Sequence, residues 1–221
     1  PAIGLPNWWY SAWMPVLAFE MDPSLPRIKR IDPKTGKTSI DPDQYRRLSP
    51  FNPEVRQRII DIYRDMAYSA PIDGILYHDD AVMSDFEDAS PDAIRAYEKA
   101  GFPGSIAEIR KDPETMARWT RYKSKYLVDF TNELTRQVRD IRGPQVKSAR
   151  NIFAMPILEP ESEAWFAQNL DDFLANYDWV APMAMPLMEK VPLSESNEWL
   201  SQLVNKVAQR PGALNKTVFE L

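Results

Sequence analysis

Ile72-Asp73-Gly74-Ile75-Leu76-Tyr77-His78-Asp79-Asp80, residues 72–80, is a short β-favouring run that breaks off abruptly in two carboxylates. Its length suits one strand, and its apolar centre suits a strand covered on both faces, as in a parallel sheet. Side chains alternate along a strand, so Leu76, His78 and Asp80 are expected on one face. Asp79 is expected to point elsewhere unless the strand has already ended.

Working outward, Asn52-Pro53-Glu54 places a capping side chain, a proline and an acid where a helix begins. Val55, Ile59, Ile62, Tyr63 and Met66 then recur at helical spacing, predicting a helix to about Ser69. Before it, the apolar run Tyr10 to Phe19 reads as a first strand, followed by a loop from Glu20 to Phe51. That loop contains the turn Lys34-Thr35-Gly36-Lys37 and far exceeds an ordinary connection of about six residues, which marks it as functional.

On the other side, Ser90-Pro91 caps a helix that stops by Gly101, and Ser105-Ile106-Ala107-Glu108 is a capping box. Asp112-Pro113-Glu114 opens the longest helix, with Trp119, Tyr122, Tyr126, Phe130, Leu134 and Val138 on one stripe before Gly143-Pro144 ends it. Val146 to Met155 reads as a third strand, Ser162 to Tyr177 as a helix, and Trp179 to Met185 as a fourth strand. Ser196 to Gln209 is then a helix, and Thr217 to Leu221 begins a fifth strand.

Alternating strands and helices predict parallel β/α units, hence a barrel or a doubly wound sheet. No G-x-G-x-x-G or phosphate-loop pattern follows any of these strands, so no nucleotide cofactor is expected and the barrel is favoured. A full (β/α) barrel typically needs about 250 residues. With 221 residues, five strands and no initial methionine, residues 1–221 are expected to be a single incomplete TIM-like barrel domain lacking N-terminal and C-terminal strands. Pro1 to Trp9 has no clear pattern.

A net charge of −5 argues against nucleic acid as a partner, since such binders need a basic face to displace phosphate counterions. No run of about 18 apolar residues could form a membrane-spanning helix. The absence of cysteine removes thiolate metal ligands and cysteine nucleophiles. Seven tryptophans offer flat surfaces of the kind sugars stack on, although Trp119 and Trp179 are assigned to packing.

In a parallel barrel the active site lies at the C-terminal ends of the strands. His78, Asp79 and Asp80 stand at such an end, with Asp85, Glu87 and Asp88 in the loop beyond. Glycoside hydrolysis needs one protonated acid for the leaving oxygen and a second carboxyl group to activate water or attack the anomeric carbon. Crowded carboxylates repel, which favours holding one of them protonated. A single histidine makes a zinc site hard to build, so no metal is expected, and His78 is assigned to orienting an acid or a sugar hydroxyl. Trp13, Arg150, Asn151, Met185 and Glu220 lie at the ends of the other strands and are expected to line the site.

Several segments carry a resemblance: Ala12-Trp13-Met14-Pro15-Val16-Leu17, Asp73 to Ala81, Ser84-Asp85-Phe86-Glu87-Asp88-Ala89-Ser90, Ala149-Arg150-Asn151-Ile152-Phe153-Ala154 and Pro160 to Asn169. In order and spacing they resemble the C-terminal domain of the PgaB family, which processes the biofilm exopolysaccharide poly-β-1,6-N-acetylglucosamine. The resemblance implies a glycoside hydrolase barrel that binds and cleaves the partly deacetylated polymer, with Asp80 as general acid and Asp79 as second carboxylate. It implies Asp85, Glu87 and Glu220 as contacts for amines. It further implies a periplasmic, outer-membrane-associated lipoprotein, an N-terminal deacetylase domain in the same polypeptide and an outer-membrane export porin as partner. The strand 73–80 also resembles the D-G-x-D-x-D-x-E strand of chitinase-like barrels, with Asp80 in the last place. Asp79-Asp80 is similar to the acid pair of hexosaminidases, with Asp for Glu in the second position. Amines freed by deacetylation are cationic, which suits an acidic cleft. A binding module that guides the polymer without cutting it would present the same residues.

Overall fold

The computed structural model describes residues 11–221; Tyr10 and the patternless Pro1 to Trp9 lie outside them. Strand β1 (Ser11–Met14) is followed by the long loop, inside which two short strands, β2 (Arg30–Ile31) and β3 (Thr38–Ser39), form an antiparallel hairpin. Helix α1 (Pro53–Ser69) leads into β4 (Gly74–Tyr77). Helices α2 (Pro91–Lys99), α3 (Ile106–Ile109) and α4 (Pro113–Arg142) connect it to β5 (Lys147–Ile152). Three short helices, α5 (Met155–Leu158), α6 (Glu163–Phe166) and α7 (Leu170–Asn176), precede β6 (Trp179–Pro182), and α8 (Ser196–Ala208) follows it.

The sheet order is β1-β4-β5-β6, and every pairing in it is parallel. Neighbours in the sheet therefore follow chain order without reversal, unlike the doubly wound sheet with its switch point. This is the arc of an incomplete TIM-like barrel. Thr217 to Glu220 lies where the fifth strand is expected: bridges Val180↔Thr217 and Met183↔Glu220 are parallel, and the N–H groups of Val218 and Glu220 donate to Val180 and Pro182 carbonyls at 2.9 Å.

Local chemistry fixes the boundaries. Asn52, Ser90, Ser105 and Asp112 each cap a helix by accepting a backbone N–H from the residue three positions on. Gly143 ends α4 at φ 102°, a conformation that favours glycine. Gly74 is needed for closeness, because a Cβ there would meet the Ser11 hydroxyl at 2.8 Å. Two expectations are corrected. β1 stops at Met14, because Pro15 has no N–H and the next three N–H groups turn aside to Asp80. The helix expected over 162–177 is broken, because Ala167 takes a left-handed φ of 51° and Asn169 caps a new helix by accepting from Asp172 N–H.

Tyr77 points into the helix layer, where its hydroxyl donates to the Thr131 carbonyl at 2.9 Å in α4. Trp119, Phe130, Leu134 and Val138 on the α4 stripe are wholly buried. Each such side chain contributes roughly 1.5–3 kcal/mol by leaving water. Alternation then assigns Trp13, Leu76 and Ala149, partners in register, to the opposite, concave face.

Candidate active site

β4 ends at Tyr77, so His78, Asp79 and Asp80 belong to the turn beyond the strand and no longer alternate. His78 remains tied to the sheet by its N–H, which donates to the Met14 carbonyl at 2.9 Å. Its Nδ1 lies 2.6 Å from Asp79 Oδ1 and 3.7 Å from Asp80 Oδ1. The neighbouring Asp79 and, behind it, Asp80 carboxylates push the imidazole up to about 9, so it is a cation at neutral pH. One cation between two carboxylates leaves the cluster with residual negative charge.

Aromatic rings flank this imidazolium. Trp13, 64% exposed on β1, has its ring centroid 5.0 Å from that of His78, and Tyr45 meets the imidazole edge-on at 5.6 Å. The Tyr45 hydroxyl is pushed up by burial and by the nearby Asp79 and Asp80 carboxylates. Sequence reasoning missed Tyr45. It sits in the long loop after β1, whose length was the only signal of function there, and no local pattern tells which loop residue folds back over β4.

Asp80 is the residue that the resemblance implies as general acid. It is fully buried, and its carboxylate accepts the N–H groups of Val16 at 2.9 Å, Leu17 at 2.6 Å and Ala18 at 2.6 Å. A ring of donors of this kind suits an anion. Asp80 is thereby the anchor that bends the chain after β1 and holds Trp13 beside His78. Asp79, 6% exposed, is the carboxylate in contact with the imidazolium.

The second acidic run is spent on fastening loops. Glu87 is buried and pairs with Arg47 at 2.9 Å, while its other oxygen accepts Ser84 N–H at 3.0 Å. Asp88, also buried, accepts Ser49 Oγ at 2.6 Å, Ser90 N–H at 2.7 Å and Lys29 N–H at 3.1 Å, and burial raises its carboxyl above the usual range. Asp85 pairs with Arg110, whose guanidinium lies 3.6 Å from the Phe86 ring centre. Beneath the loop, the buried Lys123 ammonium donates to the Ser84 and Glu87 carbonyls, and burial lowers it to about 7. The loop after β1 and the loop after β4 are thus latched together over the strand ends. Glu87 as an amine contact is corrected accordingly: its charge is already taken up by Arg47 in a dry setting.

Arg150 is likewise corrected. In register with Tyr77 it faces the helix layer, lies 5.3 Å from the Phe173 ring centre and donates to the Ala81 carbonyl at 3.0 Å. Asn151, its neighbour, takes the concave side; it is buried and its Nδ2 has no protein partner. Met185, half-buried, follows β6, and Glu220 stands beside it with its carbonyl accepting Ala184 N–H at 2.7 Å. These two lie at the far end of the strand arc from Trp13.

Comparison with known proteins agrees with this architecture. Residues 9–221 match the model of GHL13, hypothetical glycosyl hydrolase family 13. The chain is 53% identical over 210 residues to the poly-beta-1,6-N-acetyl-D-glucosamine N-deacetylases of Escherichia coli K12 and Escherichia coli O157:H7. That match covers 95% of this chain but spans only 31% of the length of those relatives. The PgaB (BpsB) glycoside hydrolase domain from Bordetella bronchiseptica superposes with a TM-score of 0.86 at 42% identity, covering 96% of this chain and 60% of that one.

Proposed function

The chain belongs to hypothetical glycosyl hydrolase family 13, and from that membership we propose that it binds and cleaves partly deacetylated poly-β-1,6-N-acetyl-D-glucosamine as an endo-acting glycoside hydrolase. The observation that carries the reading is the His78–Asp79 pair, one imidazolium against one carboxylate at 2.6 Å, set between Trp13 and Tyr45 at a barrel strand end. Aromatic faces stack on sugar rings, and the residual negative charge attracts an ammonium group.

We assign the acid–base work to His78 and Asp79 acting together. The pair holds one proton, so it can protonate the leaving oxygen and then receive a proton from water. Its carboxylate also faces the positive charge that develops on the sugar ring. Asp80 is a positioning residue: it acts by holding Val16 to Ala18, and with them Trp13, in place. The general-acid role expected of Asp80 is not retained in this proposal, because its oxygens are engaged by the backbone and it has no exposed surface.

The proposal extends to the whole protein. Residues 1–221 are one barrel domain, joined in the parent polypeptide to an N-terminal deacetylase domain. The protein resides in the periplasm as an outer-membrane-associated lipoprotein and passes its polymer to an export porin. Its relatives' description as deacetylases of this polysaccharide supports the choice of substrate.

The test is mass spectrometry of products after incubating the protein and its Asp79→Asn variant with partly deacetylated polymer. Shorter oligosaccharides from the parent alone support the proposal. Intact polymer in both, with binding retained, supports a module that only guides the chain.

A further inference from the structure

Arg150 on β5 is a buried cation that the acid–base chemistry leaves unused. It is 1% exposed, and among the described residues it forms no ion pair with a carboxylate. Its Nη2 donates to the Ala81 carbonyl at 3.0 Å, while Nε and Nη1 have no hydrogen-bond partner there. Burial raises the Tyr63, Tyr77 and Tyr177 hydroxyls, and the nearby Arg150 charge opposes that rise. With Phe173, whose ring centre lies 5.3 Å away, these three rings surround the guanidinium. Aromatic faces offset part of the cost of burying a cation, yet an apolar side chain would pack there at no such cost. Packing therefore does not explain an arginine, whereas the need for a donor does.

The acceptor that Arg150 reaches belongs to the turn of the candidate site. Ala81 directly follows Asp79 and Asp80, and the Asp80 carbonyl closes the turn by accepting Val82 N–H at 3.0 Å. Arg47 donates to the next carbonyl, that of Val82. Two buried guanidinium groups thus hold successive carbonyls of one turn, Arg47 from the loop after β1 and Arg150 from the sheet. Arg47 also pairs with Glu87 and so belongs to the latch. Arg150 has only the turn. Register sets it opposite Tyr77, the last residue of β4, so β5 reaches past the end of its neighbour to the residues beyond.

We infer that Arg150 is a positioning residue for the His78–Asp79 pair: by holding the Ala81 carbonyl it fixes the turn in which Asp79 meets the imidazole. It acts from the helix layer, through the turn. Without it the turn keeps Arg47 but loses its tie to β5, and the 2.6 Å contact between Asp79 and His78 loosens. The imidazole then returns from about 9 toward its ordinary 6.5. Removing a positive charge would, taken alone, move it the other way, so the direction of the change separates the two effects. This role deepens the acid–base assignment made above and rests on it for its consequence in catalysis.

His78 is the sole histidine of the chain, so its titration can be followed by NMR in the whole protein without ligand. The titratable groups that face it, Asp79, Asp80 and Tyr45, stay the same in each variant. Arg150→Met keeps an unbranched side chain and removes every donor, whereas Arg150→Lys keeps the charge and a donor of shorter reach. The midpoint is expected to fall by about one pH unit or more in Arg150→Met, and by less in Arg150→Lys. A parental or raised midpoint in Arg150→Met overturns the assignment. If that variant does not fold, Arg150→Lys decides, a fallen midpoint supporting the role and a parental one overturning it. In reducing-end release from partly deacetylated polymer, Arg150→Met should lose about tenfold in kcat with KM nearly unchanged. The alkaline limb of its pH profile should move to lower pH together with the imidazole. A fallen midpoint with parental kcat would overturn the role in catalysis. A parent protein that releases no ends removes the hydrolase reading, whereas the NMR midpoints still judge what Arg150 does to the pair.

Discussion

His78-Asp79-Asp80 and Asp85-Phe86-Glu87-Asp88 are two acidic stretches of the same loop, alike in composition and both beyond the end of β4. In the first, Asp79 meets an imidazolium that is 25% exposed and walled by Trp13 and Tyr45. In the second, Glu87 and Asp88 are buried against Arg47, Ser49 and the Lys29 N–H of the opposite loop. What separates them is the partner each carboxylate finds. A carboxylate beside a partly exposed cation keeps its reactivity, whereas one buried against a guanidinium becomes a fastener. Acid counting in a sequence does not distinguish these outcomes, because the partners Arg47, Ser49 and Tyr45 arrive from a different loop.

The contrast yields graded expectations. Glu87→Ala leaves the Arg47 guanidinium buried and unpaired, and should cost about 3–5 kcal/mol of stability in a urea melt. A loss under 1 kcal/mol would erase the distinction drawn between the two stretches. Asp88→Ala removes the acceptor of Ser49, Lys29 and Ser90 donors, and about 1–3 kcal/mol should disappear in the same assay.

Two buried or half-buried cations give opposite pH trends. His78 is raised from 6.5 to about 9, so the folded state holds a proton there that the unfolded state lacks between those values. Its contribution is complete below 6.5 and is lost as pH rises through about 9. Lys123 is lowered from 10.5 to about 7, so the unfolded state binds more protons between these values and stability rises with pH across them. In the parent the trends oppose each other between about 7 and 9. The Lys123→Met variant should therefore show stability falling with pH across that window, measured by melts at successive pH. A profile of the same shape as the parent's would contradict the account. Smallest of all, Asp85→Asn breaks a partly exposed pair and should change stability by about 1 kcal/mol or less.

Much of this fold was legible because its signals are local. The caps at Asn52, Ser90, Ser105 and Asp112, the α4 stripe and the abrupt end of β4 each lie within a few residues of what they determine. The hairpin of β2 and β3 was not, since two-residue strands carry no periodicity. Nor was the break at Ala167, where Gln168 Oε1 instead accepts Phe153 N–H at 3.0 Å from another segment. At the candidate site, the sequence pointed to His78, Asp79 and Trp13 through the strand-end rule. Asp80 was expected as general acid, and its burial was not legible because the donors of Val16 to Ala18 lie more than sixty residues away in the chain. Arg150 was placed at the mouth by position alone, whereas register with Tyr77 sends it into the helix layer.

The most direct measurement sets Asp79→Asn beside Glu87→Gln and records both reducing-end release from partly deacetylated polymer and melting temperature. The account predicts that Asp79→Asn loses about 10²–10⁴-fold in activity at temperatures where it is fully folded, with a melting temperature that falls below pH 9 because the His78 proton loses its partner. It predicts that Glu87→Gln melts earlier yet retains activity at temperatures where it is folded. An Asp79→Asn protein that cleaves like the parent, or a fully folded Glu87→Gln protein that is inactive, would contradict the division between the reacting and the fastening carboxylates.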